Sequence, residues 1–461
     1  MQSGSVNKSL FGKITAIARR EMKKHHIPGA IIALSIGGKE YFAPLGVTSV
    51  DNPLPVDENT LFKIASISKT FLATAAVMLA ERGKLGLDVP VRKYLPSFAL
   101  KDKKAAHCAT MRHLLTHTGG WYGDYFDDCG DGDDALDLMV RRIAKVPQIA
   151  PLGEYFSYSN TGFNIAGRVL EVRTGKTFEH VIEDMVFKPL GLNMSFYAAR
   201  DILLHRYAIG HKIIKGKPVV AKPWGRARCA APTGGILCTA CDLLKYARFQ
   251  MCDGCAADGK RLMSAKSMEL LHTPQLPAYA DRRVALSWFV HEKGGMKILT
   301  HEGGTMGNIS DLSIIPEQKF ASVIFTNGVD GGFLVEAVND ALLENFFGVK
   351  PQPKKPLKLQ PDALHEYAGH YENPDTSVEV KIKLAAPTIT ITNNGGFPTP
   401  EHKVKGTPRT APFALYARGK FYLISGPMQG FTGEFVRGKT GRVGWIRLTS
   451  LAKKTDVRSE I

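Results

Sequence analysis

The chain has 461 residues, 44% hydrophobic and 22% charged, which is the balance of an ordinary soluble protein with room for two domains and a sizeable core. Its longest apolar run, Phe71 to Ala80, is about half of what a membrane span needs, so no membrane span is expected. The net charge of +17 is large, and residues 351–461 carry 17 Lys and Arg against 9 Asp and Glu, but no nucleic-acid motif and no aromatic-studded basic stripe accompanies it, so a solvated basic face is the reading.

From the N-terminal end, Leu10, Phe11, Ile14, Ile17, Ala18 and Met22 mark an amphipathic helix, read as a packing helix rather than a transit peptide. No apolar segment followed by a small-residue cleavage site is visible. Seven cysteines, an odd count, then favour free thiols in a reducing, cytoplasmic setting. Ala30–Ile36 and Glu40–Gly46 are predicted strands joined by the turn Gly37-Gly38.

Residues Phe62 to Phe71, F-K-I-A-S-I-S-K-T-F, lead into an unbroken helical run, Thr70 to Arg82. Ser66 and Lys69 stand three apart, so at a helix start both lie on nearly one face. A serine hydroxyl becomes a useful nucleophile when a neighbouring base takes its proton, and an amine one turn away can do that. Free N–H groups at the helix start could stabilise an oxyanion. Ser-x-x-Lys also occurs at Ser5–Lys8 and Ser450–Lys453, but only Ser66 begins a long apolar helix.

From Leu85 to Phe196 the pattern is helical with long loops, clearest at Thr161–Arg173, closed by Gly175, and at Phe178–Phe187. Just ahead of the first lies Tyr158-Ser159-Asn160. A phenolate favoured by a nearby ammonium can act as general base and an Asn amide can hold a carbonyl; a plain turn with an N-cap is the alternative. Cys238-x-x-Cys241 and Cys252-x-x-Cys255 invite a zinc reading, but the helix Asp242–Met251, capped by Thr239, separates Cys241 from Cys252 by roughly 16 Å, too far for one ion.

Strand signals return at Val284–His291, Lys297–His301, Ser310–Ile315 and Phe320–Thr326, followed by a helix, Leu334–Phe346, that stops at Gly348. His301-Glu302-Gly303-Gly304 closes the second of these. Alternation puts His301 and Gly303 on one face and Glu302 on the other. Gly303 would clear space for a substrate lying on the strand and Gly304 N–H could donate to an oxyanion; a Gly-rich turn is the alternative. Lys350–Pro361 reads as a linker, and beyond it come six strand signals, Val378–Leu384, Thr388–Thr392, Phe413–Ala417, Lys420–Ser425, Thr432–Val436 and Val443–Leu448, consistent with a small antiparallel barrel.

Together, Ser66-x-x-Lys69, Tyr158-x-Asn160 and His301-x-Gly303 resemble the elements of the serine β-lactamase and penicillin-binding-protein superfamily. Their order and spacing are similar to the class C β-lactamase branch, including family VIII carboxylesterases and D-amino-acid-specific aminopeptidases. Leu114-Leu115-Thr116-His117-Thr118-Gly119-Gly120 and Gly234-Gly235-Ile236 add to the likeness, and the tail resembles the lipocalin-like barrel some relatives append. The resemblance implies an α+β fold, an antiparallel sheet flanked by helices with an all-helical insert over residues 1–349, a linker over 350–361 and an antiparallel β-barrel over 362–461.

It also implies roles. Ser66 would be the nucleophile, Lys69 and Tyr158 would share proton transfer, Asn160 would position the substrate, and the N–H groups of Ser66 and Gly304 would form the oxyanion hole, with His301 and Gly303 beside it. No metal or organic cofactor is implied, and His113 and His117, four apart on a predicted helix, are read as structural rather than metal ligands. The departure is His301, where β-lactamases place a permanently charged Lys. That favours a small ester, amide or peptide as the partner molecule over a β-lactam, with a β-lactamase or DD-peptidase second and a catalytically idle scaffold or polymer-binding protein third. An α/β-hydrolase is set aside because no Gly-x-Ser-x-Gly occurs. No nucleic-acid partner is expected, and a homo-oligomer is compatible with the sequence. Two further expectations follow: ester activity falling below about pH 6 as His301 protonates, and a stable fold for a chain ending near Gly348.

Overall fold

Gly29–Ile36 (β1) and Phe320–Thr326 (β8) are apolar without polar alternation, the pattern of strands covered on both faces. The computed structural model describes residues 8–197, 199–223, 225, 227–359, 361–382, 387–393, 406–426 and 428–455. It places β1 and β8 side by side, antiparallel, with Ile31 opposite Phe325 and Ala33 opposite Val323. Lys39–Gly46 (β2) lies outside β1. On the other side of β8 follow Asn308–Ile315 (β7), Met296–Thr305 (β6), Phe289–Lys293 (β5), Arg283–Val284 (β4) and Leu276–Pro277 (β3), in the order β2-β1-β8-β7-β6-β5-β4-β3. The sheet thus joins the first and last strands of the region, and the helical insert lies between them in sequence.

Both sheet faces are buried, by different helices. Ala30, Ile32, Leu34 and Ile324 pack under Lys8–Lys24 (α1) and Gly331–Phe347 (α6), and α1 contributes Ile14 and Ala18 to that core. Ile31, Ala33, Val323 and Phe325 face the larger core, which contains Ser68–Glu81 (α2) and Ala240–Met251 (α5). Every residue of α2 from Ser68 to Leu79 is buried, as expected of a helix without a polar face. Its Thr70 and Thr74 hydroxyls bond back to the Ile67 and Thr70 carbonyls. Gly175 and Gly348 end Asn160–Thr174 (α4) and α6 in the left-handed region, and Thr239 caps α5.

Three strand boundaries differ from the sequence reading. Val284–His291 is interrupted: Ala285 N–H donates to the Trp288 carbonyl, Ser287 takes φ +71°, and its N–H goes to the Leu115 carbonyl. This stretch is therefore tied to the helical insert instead of a neighbouring strand. β6 runs on through Glu302, Gly303 and Gly304 to Thr305, so the glycines are strand and not turn. In the tail the predicted end of Val378–Leu384 enters residues outside those described, and two strands not predicted, Gly369–Glu372 (β9) and Leu451–Thr455 (β16), pair with each other.

That pairing closes a barrel. Between β9 and β16 run Thr376–Lys381 (β10), Thr388–Asn393 (β11), Arg409–Ala417 (β12), Lys420–Leu423 (β13), Thr432–Arg437 (β14) and Val443–Arg447 (β15). Tyr371, Phe413, Phe421 and Phe435 fill its interior, with the Phe421 and Phe435 rings 5.1 Å apart. The barrel also has an apolar joint with the helical insert, where Val436, Trp445 and Leu451 meet Ile149, Ala150 and Tyr155. A chain cut near Gly348 would uncover that joint.

Asn327, fully buried after β8, ties the ends of β1 and β2 together. Its Oδ1 accepts from Gly29 N–H at 2.6 Å and its Nδ2 donates to the Val47 and Thr48 carbonyls at 3.0 Å. Asn327→Ala leaves the buried Gly29 N–H and the half-buried Val47 carbonyl without this partner, while the Thr48 carbonyl still accepts from Ile209 N–H. A loss of roughly 3 kcal/mol is expected, read as a lower denaturation midpoint with an unchanged slope in urea.

Candidate active site

The site begins with a strained turn. Ala65 is held at φ +46°, a region a residue with a side chain occupies at a cost of about 1–3 kcal/mol. Ser66 follows in the single 3-10 turn Ala65–Ile67 that opens α2. The turn is held on two sides. Ile64 N–H donates to the Ile236 carbonyl at 3.1 Å, and Ser68 Oγ accepts from Ile236 N–H at 3.2 Å. On the sheet side, Ser310 Oγ donates to the Ile64 carbonyl at 2.8 Å.

Gly303 completes this seat. A Cβ there would collide with the Ile64 carbonyl oxygen and with Ser310 Oγ. The reason for glycine at 303 is therefore close approach of the Ser66 turn to β6, and not the space for substrate that the sequence suggested. Beyond Thr300, among the described residues, β6 pairs only with β7, because β5 reaches no further. The stretch His301–Thr305 thus presents a free strand edge on its other side, with Gly304 exposed.

Lys69, one turn into α2, is fully buried, with Nζ 3.1 Å from Ser66 Oγ and 2.5 Å from the Thr233 carbonyl, to which it donates. The Tyr158 and Phe163 rings lie 5.1 and 5.6 Å from the ammonium. Tyr158-Ser159-Asn160 comes in over the start of α4, where Ser159 Oγ accepts from Gly162 N–H as N-cap. Asn160 Nδ2 donates to Asp124 Oδ1 at 2.6 Å, which fixes the amide. Ser66, Tyr158 and Asn160 are each half-buried.

His113 and His117 do not share a helix face. Met111–Leu115 (α3) holds His113, whose Nδ1 accepts from Thr110 N–H, whereas His117 lies beyond the helix end at φ +56°. The His117 ring stacks under Tyr158, centroids 4.4 Å apart, and its Nδ1 accepts from Ser159 N–H. Burial first, then the Lys69 charge, holds it well below the usual histidine range.

His301 differs from expectation in the same way. It is 1% exposed, packed against Phe289 beneath the cleft and not on its wall, and its Nδ1–H donates to the Glu302 carbonyl at 2.7 Å. Burial, followed by the Lys69 charge, pushes its pKa down to about 3. It therefore stays neutral at pH 6, which removes the basis for an activity loss through His301 near that pH. Glu302, on the opposite face, pairs with Arg282 at 2.7 Å.

A family model for beta-lactamase matches residues 14–345, which include all of these side chains. The chain belongs to the beta-lactamase family. Penicillin-binding protein 4 of Amycolatopsis lactamdurans is 32% identical over 365 residues, 76% of this chain and 94% of that protein. The crystal structure of SurE superposes with a TM-score of 0.75 at 23% identity, covering 97% of this chain and all of the other, barrel included. EstCE1, described as a hydrolase with promiscuous acyltransferase activity, superposes with a TM-score of 0.61 at 21% identity over 73% of this chain and 98% of its own. At those identities the structural likenesses speak to the fold, and family membership to a hydrolase.

The sequence reading brought forward Ser66, Lys69, Tyr158, Asn160, His301, Gly303 and Gly304, and all come from elements that converge here. It assigned no site role to Thr233, Asp124 or Ser310 and read His117 as structural. Ser310 entered only as the first residue of a predicted strand, and Thr233 directly precedes the quoted Gly234-Gly235-Ile236.

Two outcomes follow. Gly303→Ala is expected to displace the Ser66 turn and lower hydrolytic turnover by at least about tenfold, while Gly304→Ala, whose Cβ meets only the Ile309 side chain at ordinary contact, leaves the fold intact by circular dichroism. Stability should also depend on pH. His301, His272 and His291 have folded pKa values of about 3 against 6.5 when unfolded. The unfolded chain takes up protons that the folded one refuses, so stability is full above about pH 6.5 and declines as pH falls toward 3. Denaturation midpoints between pH 7 and 4 are expected to fall, less steeply in His301→Gln.

Proposed function

We propose that the protein is a serine hydrolase that acts through an acyl-enzyme on ester or amide bonds of small substrates, as an esterase or D-amino-acid-type peptidase. The observation that carries this reading is the contact between Lys69 Nζ and Ser66 Oγ at 3.1 Å, with the Tyr158 ring against the same ammonium. In this mechanism Lys69 and Tyr158 share the proton transfers: with Lys69 as the ammonium, the Tyr158 phenolate beside it takes the Ser66 proton as Oγ attacks the carbonyl carbon. The N–H groups of Ser66 and Gly304 hold the oxyanion, and Asn160, oriented by Asp124, positions the substrate. Collapse transfers the proton to the leaving alcohol or amine, and water then releases the acyl group from Ser66.

The tail enters this proposal as a second domain, residues 362–461, joined through 350–361. A second reading, β-lactam or DD-peptide turnover, is favoured by the likeness to a penicillin-binding protein. Against it stands the neutral His301 where a lysine ammonium would attract a substrate carboxylate.

A fluorophosphonate is expected to add mass to the peptide carrying Ser66, and Ser66→Ala to lose both the label and nearly all turnover. Tyr158→Phe should cost about two to four orders of magnitude in kcat. Labelling at Ser159 or Ser450 would overturn the assignment. Turnover on p-nitrophenyl esters, D- and L-aminoacyl anilides and nitrocefin separates the readings; nitrocefin faster than every ester and anilide would select the second.

A further inference from the structure

The Tyr158 loop is held from two directions. From within the helical insert, Ser157 N–H donates to the His117 carbonyl and Ser159 N–H to His117 Nδ1, both at 2.9 Å. From the barrel, the turn between β15 and β16 and the first residue of β16 reach two residues of this loop. Tyr158 N–H donates to the Thr449 carbonyl at 3.4 Å, and Leu451 N–H donates to the buried Ser157 Oγ at 3.1 Å.

Arg447, at the end of β15, extends this grip. It is 4% exposed, pairs with Glu434 at 2.9 Å, donates to the Ala278 carbonyl at 2.5 Å, and lies over the ring of Phe156 at 5.8 Å. Ala278 opens the β3–β4 hairpin, whose turn residues Ala280 and Asp281 sit at φ +51° and +63°. Two successive non-glycine residues there are strained. The Asp281 carboxylate accepts from Lys420 Nζ at 2.5 Å and from the Tyr416 hydroxyl at 3.1 Å, both on the barrel. The same hairpin presents Arg282 to Glu302, beside His301. A buried guanidinium with a carbonyl and a carboxylate partner is costly to assemble and specific in geometry.

We propose that the barrel is a working part of the active site: Arg447, Thr449 and Leu451 are positioning residues that hold the Tyr158 loop against Lys69 and set its distance from the β3–β4 hairpin. This rests on the reading of Tyr158 as a proton carrier. The two bonds to Ser157 and Tyr158 come from one short turn, so a shift of the barrel moves the Tyr158 backbone directly. A displacement of about 1 Å in such a group costs about a hundredfold in rate.

The test uses the full chain with p-nitrophenyl butyrate as probe. Ser157→Ala removes the acceptor of Leu451 N–H, Arg447→Met removes the tie to Ala278, and Trp445→Phe keeps an aromatic ring in the joint while removing the donor to the Ile149 carbonyl and part of the indole's packing. Expected are kcat losses of about ten- to a hundredfold for the first two, KM within about twofold, and an acid limb of the kcat profile moved up by about one pH unit. Arg447→Lys should recover part of the loss, and Trp445→Phe should move kcat the same way by about threefold. Folded variants with wild-type kcat and an unmoved limb overturn the inference, as do losses that only track the folded fraction by circular dichroism. If Arg447→Met does not fold, the other two variants decide. Failure of fluorophosphonate to label Ser66 in the wild type would sink the underlying reading instead, whatever the variants do.

Discussion

A fully buried ammonium is the constraint on which the rest of the site depends. Lys69 has no access to water, so its charge must be met by groups the fold provides. The Thr233 carbonyl and Ser66 Oγ accept from it, and the faces of Tyr158 and Phe163 surround it. The same charge acts outward. Together with burial it keeps His117 and His301 neutral, so the floor of the site carries one cation rather than three.

Each acceptor comes from a different part of the chain, and each part is anchored independently. α2 is buried on all sides and cannot rotate without disrupting the larger core. The turn before it is pressed between Ile236 and the strand pair β6–β7, where glycine at 303 permits the approach. The strain at Ala65 persists because these neighbours over-determine its conformation. What this arrangement leaves open to solvent is Gly304 on β6 and the half-buried Ser66, Tyr158 and Asn160.

The tail belongs to this arrangement more closely than its composition suggests. Its aromatic interior is a core of its own, and most of its described Lys and Arg side chains are exposed or half-buried. Its outer surface nevertheless sends a buried arginine to the Ala278 carbonyl, a tryptophan to the Ile149 carbonyl and the Leu451 N–H to Ser157.

Much of this was legible in residue order. The apolar runs of β1 and β8 announced strands, Gly175, Gly348 and Thr239 marked helix ends, and the Ser66, Tyr158 and His301 stretches pointed to the candidate site, because each signal is local: a period, a cap, a spacing. What only the tertiary structure decided depends on partners distant in sequence. The extension of β6 through two glycines requires β7 alongside it. β9 and β16 are short and polar, and become strands because they close the barrel on each other. The role of Gly303 is set by Ile64, the charge state of His301 by its burial and by Lys69, and the hold on Tyr158 by a turn almost 300 residues further along the chain. Burial and long-range hydrogen bonds have no signature in a local pattern, and these are the forces that turn a recognisable motif into a site.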